Sequence, residues 1–145
     1  MFCGCADNQP KVSQSVFVSI VSKNIKFSDM GFFNEYESKK SLDVYALGTP
    51  VFKIDFDDMV CLGSGCMGKE EFVKSYMSEA LYPDAMNDIL SQKPLKIGSK
   101  ITTYDGGFTQ EAIDSGYDIT YKVDKKEIYF FERIGGFKFH LRFLD

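Results

Sequence analysis

The side chains best suited to covalent chemistry in this sequence are four cysteines and a single histidine. Cys61 and Cys66 flank a Gly-rich turn, with a C-x4-C spacing that differs from the C-x2-C of a zinc knuckle. In an oxidising compartment we expect these two cysteines to close as a disulfide. His140 falls on the polar parity of a strand-like run, which favours a solvated surface residue over a catalyst or metal ligand.

Familiar catalytic signatures are missing from the sequence. There is no phosphate-cradling glycine motif, no G-x-S-x-G and no H-E-x-x-H. A catalytic Cys–His pair would need Cys61 or Cys66 beside His140, and a disulfide between the two cysteines would remove the nucleophilic thiol. Asp57 and Asp58 stand at a strand end, where acidic residues are ordinary, although paired carboxylates can hydrolyse glycosides. We therefore expect no enzymatic activity, no metal and no cofactor.

Size and charge narrow the possible functions further. A chain of 145 residues predicts one domain that is large enough to bury a core. The net charge of −4 and the scattered Lys and Arg argue against nucleic acid as a partner. The 14 Phe and 8 Tyr indicate either a well-filled core or an aromatic-lined cavity. No apolar run reaches the ~18 residues of a membrane-spanning helix.

The stretch from Ser41 to Leu62 predicts a central hairpin. Apolar and polar residues alternate on both sides of a break at Gly48-Thr49-Pro50, which is the pattern of antiparallel strands with one buried face. Leu47 is a large apolar residue at the predicted tip, and it either protrudes into solvent or folds back onto the core. An exposed Leu forgoes about 1.5–3 kcal/mol of burial, so a protruding Leu47 would suit contact with a membrane.

Helical and strand patterns cover the rest of the chain. Apolar residues at i, i+3 and i+4 predict an amphipathic helix from Lys69, with Glu70 and Glu71 in its first turn. Pro83 ends this helix and opens a second one that closes before Pro94. Two strands are predicted within 16–37, and alternating strands return from Ile97 to Asp145, separated by Gly-containing and charged turns.

The start of the chain predicts a lipid anchor. The run Phe2-Cys3-Gly4-Cys5 resembles the lipobox of bacterial lipoproteins, in which a small residue precedes the acylated Cys. Leu is usual at the Phe2 position, a small residue at the Cys3 position, and the charged and apolar parts of a signal peptide do not precede the run. Cys5 is the predicted acylation site; incidental cysteines, or a metal or redox pair, are the alternatives. We interpret residues 1–14 as a signal-peptide remnant, lipidation site and tether.

The order of strands, hairpin, two helices and further strands resembles the LolA/LolB lipoprotein-carrier family. The family has a Pro-Leu-Gly loop followed by an alternating strand, and here Leu47 and Gly48 match the Leu and Gly. Ala46 stands where Pro is usual, and the Trp residues common in the family are absent. The resemblance implies an α+β fold over residues 15–145: a curved antiparallel sheet forming an incomplete β-barrel, with a two-helix lid over an apolar cavity.

The resemblance also implies a function. The chain would be a monomeric, lipid-anchored lipoprotein on the periplasmic face of the outer membrane, and would act in protein transport as a lipoprotein chaperone. It would receive the acyl chains of lipoproteins from a LolA-like periplasmic carrier, and Leu47 and Gly48 would form its membrane-delivery loop. Alternatives are a lipid-anchored module for another apolar ligand, or a structural or interaction lipoprotein with a filled core. The acyl-cavity residues expected from apolar parity are Leu42, Val44, Phe52, Ile54, Phe56, Tyr121, Phe130, Phe139 and Leu141 in the walls, and Met77, Leu81, Met86 and Leu90 in the lid.

Overall fold

The computed structural model describes residues 9–23, 26–46, 49–63 and 65–144. Over these residues the chain forms one sheet of eleven strands and two short helices. The strands are β1 (Val12–Val21), β2 (Lys26–Glu35), β3 (Lys40–Ala46), β4 (Thr49–Phe56), β5 (Met59–Leu62), β6 (Gly65–Gly68), β7 (Lys100–Tyr104), β8 (Gly107–Asp114), β9 (Tyr117–Val123), β10 (Glu127–Glu132) and β11 (Phe137–Phe143). The helices are α1 (Lys69–Phe72) and α2 (Ala85–Leu90).

The sheet is antiparallel. One half consists of β1 to β6 and the other of β7 to β11, and the two halves meet where β1 pairs with β11. The strand order is β6-β5-β4-β3-β2-β1-β11-β10-β9-β8-β7, so that each strand except β1 and β11 pairs only with its sequence neighbours. β1 pairs with β2 on one side and with β11 on the other, with Val18 opposite Leu141. β6 and β7 are the two edges, and the sheet is open.

Alternation of side chains decides which face of the sheet is buried. In β1, Val16, Val18 and Ile20 are at most 5% exposed, whereas the residues between them are half-buried. The same alternation recurs in β9, β10 and β11. We call the buried side the inner face and the opposite side the outer face. The inner face and the segment from Phe72 to Leu95 share one hydrophobic core.

The helical segment is short and irregular. α1 continues into a single π-helical turn at Val73–Met77, and Ser78 then adopts an extended conformation with φ −161° and ψ 140°. The Ser78 hydroxyl donates to the carbonyl of Gly116 at 2.8 Å and accepts from the amide of Ala80 at 3.2 Å. A side chain that bonds the backbone in this way competes with helical hydrogen bonds, and the predicted long helix ends here, before Pro83.

The predicted α+β class, with an incomplete barrel under a two-helix lid, is therefore wrong. The structure is predominantly an open antiparallel sheet, and its α-helices have only four and six residues. The helical periodicity marked buried positions correctly, because Phe72, Val73, Met77 and Leu81 are all at most 5% exposed. The same periodicity did not predict the helix length correctly, because buried residues can keep an i, i+4 spacing along a π-helical turn followed by extended chain.

Candidate functional site

The predicted acyl-cavity residues lie together in the packed core. Of the thirteen, twelve have described side chains, and the most exposed of these is Leu81 at 5%. The side chain of Phe52 lies outside the described part of the chain. Tyr121 stacks edge-on against Phe108 and Phe130, with ring centroids 5.4 and 6.1 Å apart. The sequence pattern therefore predicted the residues of the inner face correctly, and their described side chains pack against one another there. The twelve are Leu42, Val44, Ile54, Phe56, Met77, Leu81, Met86, Leu90, Tyr121, Phe130, Phe139 and Leu141.

The chain directly after α2, where the segment predicted as a lid ends, is fastened to the sheet by hydrogen bonds. Tyr121 on β9 donates from its hydroxyl to the carbonyl of Lys93 at 2.9 Å. Gln110 on β8 is fully buried, and its amide accepts from the Leu95 N–H at 2.7 Å and donates to the Leu95 carbonyl at 2.9 Å. Burial raises the pKa of Tyr121 far above its ordinary 10.0, so this phenol stays a neutral donor. Opening the segment would leave these buried groups unpaired.

One cleft of about 330 Å³ opens between α2 and the strands β3 and β4. Its described lining carries four lysines and four aspartates, and Phe56 is the one large apolar side chain among these lining residues. Lys69 and Asp84 form an ion pair across it at 2.9 Å. Asp88, also in the lining, accepts a 2.6 Å bond from the hydroxyl of Tyr82, and burial is the main cause that raises the Tyr82 pKa above 10.0. A cleft with this lining suits water and ions rather than an acyl chain.

A second cleft of about 450 Å³ lies beside the π-helical turn and the β10–β11 turn. Met77 from the predicted lid lines it, together with the buried carboxylate of Glu132. Glu132 accepts three backbone N–H bonds: from Asp118 at 3.0 Å, from Ile134 at 2.8 Å and from Gly135 at 2.7 Å. The carboxylate thus holds the turn, and both of its oxygen atoms already accept backbone N–H bonds.

The disulfide and the histidine lie on the outer face. Cys61 and Cys66 are directly opposite each other in the β5–β6 hairpin, with their sulfur atoms joined at 2.12 Å. His140 on β11 is half-buried, with Nε2 2.6 Å from an Oε1 of Glu127 on β10. The cysteines and the histidine are on strands far apart in the sheet order, so these residues form no common site.

Sequence reasoning missed Gln110 and Glu132, although both left a signal. Gln110 follows the parity of Phe108 and Ala112, and Glu132 follows the parity of Ile128 and Phe130. A polar residue on an apolar parity indicates a buried group that needs a hydrogen-bond partner. Here those partners are backbone groups of the neighbouring loops.

Three predicted functional residues fall outside the described residues: the lipidation site Cys5 and the loop residues Leu47 and Gly48. Within the described residues, no group of three or more His, Cys, Asp or Glu side chains is arranged to hold a metal ion. Over the same residues, no helix is both long enough and apolar enough to cross a membrane. Comparison with known proteins finds no family model and no curated protein that matches this chain.

Proposed function

We propose that the chain is a membrane-anchored structural or interaction lipoprotein that works through its outer surface. The observation that carries the proposal is that the twelve described residues expected to line an acyl cavity are all at most 5% exposed. Side chains that are buried against one another offer little surface to an acyl chain. The hydrogen bonds between Gln110 and Leu95 and between Tyr121 and Lys93 further support that the chain directly after α2 belongs to the core.

Anchoring rests on Cys5 and on the polar residues that follow it. Multiple acylation of one cysteine holds a domain at a membrane, whereas a single chain gives only marginal binding. A location on the periplasmic face of the outer membrane is part of this proposal. Delivery of lipoproteins to that membrane, the role suggested by the LolA/LolB resemblance, would require acyl binding that the packed inner face does not favour.

An acyl-binding assay tests the filled core. The full chain carrying Cys5→Ala should show no saturable binding of a fluorescent fatty acid. Met86 is 3% exposed, and Met86→Trp should cost about 1–3 kcal/mol of stability because the core has no room for the larger ring. Met30→Trp, at a side chain that is 51% exposed, is the matched control and should leave stability unchanged. Saturable binding that Met86→Trp abolishes without destabilising the protein would instead establish a cavity and overturn the proposal.

Membrane fractionation tests the anchor separately. In the precursor expressed from its own gene, Cys5→Ala should release the protein from the membrane fraction, and Cys3→Ala should not. Release by Cys3→Ala alone would identify the other cysteine as the anchor. Membrane retention of the double variant would reject acylation of this segment.

A further inference from the structure

The centre of the outer face carries a cluster of aromatic and basic side chains. We call Phe17, Lys26, Tyr129, Lys138 and Arg142 the aromatic–basic face. They lie on the four adjacent strands β2, β1, β11 and β10. Adjacent strands are about 4.8 Å apart, so four strands span about 15 Å.

The strand register places these side chains in rows that run across the four strands. Val21 of β1 is opposite Lys26 on one side and Lys138 on the other. Phe17 of β1 is opposite Arg142, and the Arg142 guanidinium carbon lies 5.8 Å from the Phe17 ring centroid. The Lys138 amine lies 5.9 Å from the ring centroid of Tyr129.

The cations of this face are not neutralised by the described part of the protein. Among the described residues, no carboxylate lies within 4.0 Å of Lys26, Lys138 or Arg142. The neighbouring cations differ, because Lys122 is 3.9 Å from Glu127 and Arg133 is 3.2 Å from Asp118. Among the described residues of these four strands, the one acid on the same rows is Glu127, which is opposite Arg142 in the register and is bonded to His140. The face therefore has a local positive excess on a chain whose net charge is −4.

Exposed apolar side chains adjoin the cations. Met30 is directly opposite Phe17 and is 51% exposed. Phe32, one row further along β2, is 41% exposed and packs edge-on against Tyr45 at 5.6 Å. Positive charge beside exposed apolar groups matches a surface that presents phosphates above hydrocarbon.

We propose that the aromatic–basic face docks on an anionic phospholipid surface, with Lys26, Lys138 and Arg142 on the headgroup phosphates and Met30 in the adjoining apolar layer. The exposed apolar side chains of Met30 and Phe32 favour a lipid surface over nucleic acid, because an extended polyanion offers no hydrocarbon layer for them to enter. The docking deepens the proposed function. It rests on that function in one respect, namely the lipid anchor that would keep the domain near a membrane. An anchored domain meets the membrane surface at high effective concentration. A low affinity of the face for lipid is therefore enough to orient the domain.

Vesicle binding by the full chain carrying Cys5→Ala tests the docking independently of the anchor. The protein should co-sediment with vesicles containing phosphatidylglycerol, bind pure phosphatidylcholine vesicles much more weakly, and dissociate as salt is raised. Each basic residue near an anionic surface contributes about fivefold in affinity, so Lys26→Ala/Lys138→Ala/Arg142→Ala should weaken binding about 100-fold.

A control with the same charge change separates the face from net charge. Lys11, Lys74 and Lys96 each have side chains more than half exposed, and none of them belongs to β1, β2, β10 or β11. The triple Ala variant at these positions also takes the net charge from −4 to −7 and should keep most of the binding. Both variants should retain the thermal transition of the parent.

Four results would overturn the docking: no binding of the parent to anionic vesicles, equal binding to neutral ones, equal losses in the two triple variants, or tighter binding to single-stranded DNA. The last would assign the face to nucleic acid. Because the vesicle assay contains no acylated protein, a failed anchor leaves its outcome unaffected.

Discussion

Buried polar side chains on the inner face hold neighbouring loops and turns against the sheet. Gln110 completes the backbone bonds of Leu95, and Glu132 completes those of the β10–β11 turn and of Asp118. Each side chain takes the place of water as the hydrogen-bond partner of backbone groups that are not paired between strands. Removing such a partner costs the desolvation of the groups left behind, which is more than a net hydrogen bond is worth.

Replacing Glu132 with Gln should destabilise the protein by about 1–3 kcal/mol in urea unfolding. The NH₂ group of the new amide would face backbone N–H groups that now donate to Oε1 and Oε2 of Glu132. Residue 132 is only 1% exposed, so little water can reach these groups to compensate. Glu111→Gln, at an exposed residue on β8, is the control and should change stability by less than about 0.5 kcal/mol. Equal effects of the two changes would show that the three N–H bonds contribute nothing.

Alkaline titration should reveal two protected phenols. Burial raises the pKa values of Tyr82 and Tyr121 above 10.0, so both remain protonated in the folded protein after pH passes that value. The raised values mean that the native state holds these protons more tightly than the unfolded state. Their stabilising contribution is therefore complete below pH 10 and is lost as pH rises towards the folded pKa values. Phenolate absorbance should show a late step that coincides with unfolding, and Tyr82→Phe should reduce its amplitude. A step of unchanged amplitude in that variant would assign the protection to other tyrosines.

At the scale of elements, the close approach of β2 and β3 depends on a glycine. Gly31 is opposite Val44, and a Cβ built on Gly31 would lie 2.3 Å from the backbone carbonyl oxygen of Asp43. β2 keeps a continuous register with β1 through this position, and the register irregularity lies instead in the pairing of β3 with β4, between Val44 and Tyr45. The glycine is required by space between strands, because any side chain here meets backbone that cannot move alone.

Gly31→Ala should therefore lower the free energy of unfolding by about 1–3 kcal/mol, the usual cost of forcing an extra methyl into packed structure. Gly98→Ala is the matched control, because a Cβ there meets nothing within 4 Å. The control should be neutral or slightly stabilising, since Ala restricts the unfolded chain. Guanidinium unfolding of both variants decides the matter, and a neutral Gly31→Ala would show that the strands separate at little cost.

The sequence predicted the strands better than the helices, for a physical reason. Alternation fixes which residues share a face, so Tyr121, Phe130 and Phe139 were placed correctly on one buried surface. Helical spacing fixes only a buried stripe, and Met77 and Leu81 keep that stripe although Ser78 between them is extended. Whether a buried surface encloses space depends on how distant elements pack, and no local pattern in the sequence reports that.

At the scale of the whole molecule, β1 and β11 form the only strand pairing between the two halves of the described sheet. The pairing joins residues more than a hundred positions apart, as in Val16 opposite Phe143. Both strands contribute fully buried side chains to the common core, among them Val18 and Leu141. Without this seam, each half would expose a new edge strand with an apolar inner face.

The seam predicts that the two halves unfold as one unit. Leu141→Ala removes a fully buried side chain next to Val18 and should cost about 2–5 kcal/mol. The chain has no Trp, so Tyr45→Trp and Tyr129→Trp can each place a single reporter, one in either half. Both reporters should show the same urea midpoint, and Leu141→Ala should shift both equally. Ile101→Ala on the edge strand β7, at a residue that is 45% exposed, should shift neither by more than about 0.5 kcal/mol. If Leu141→Ala lowered only the midpoint reported by the Tyr129→Trp variant, the halves would be separate folding units, and the β1–β11 pairing would be a contact between them.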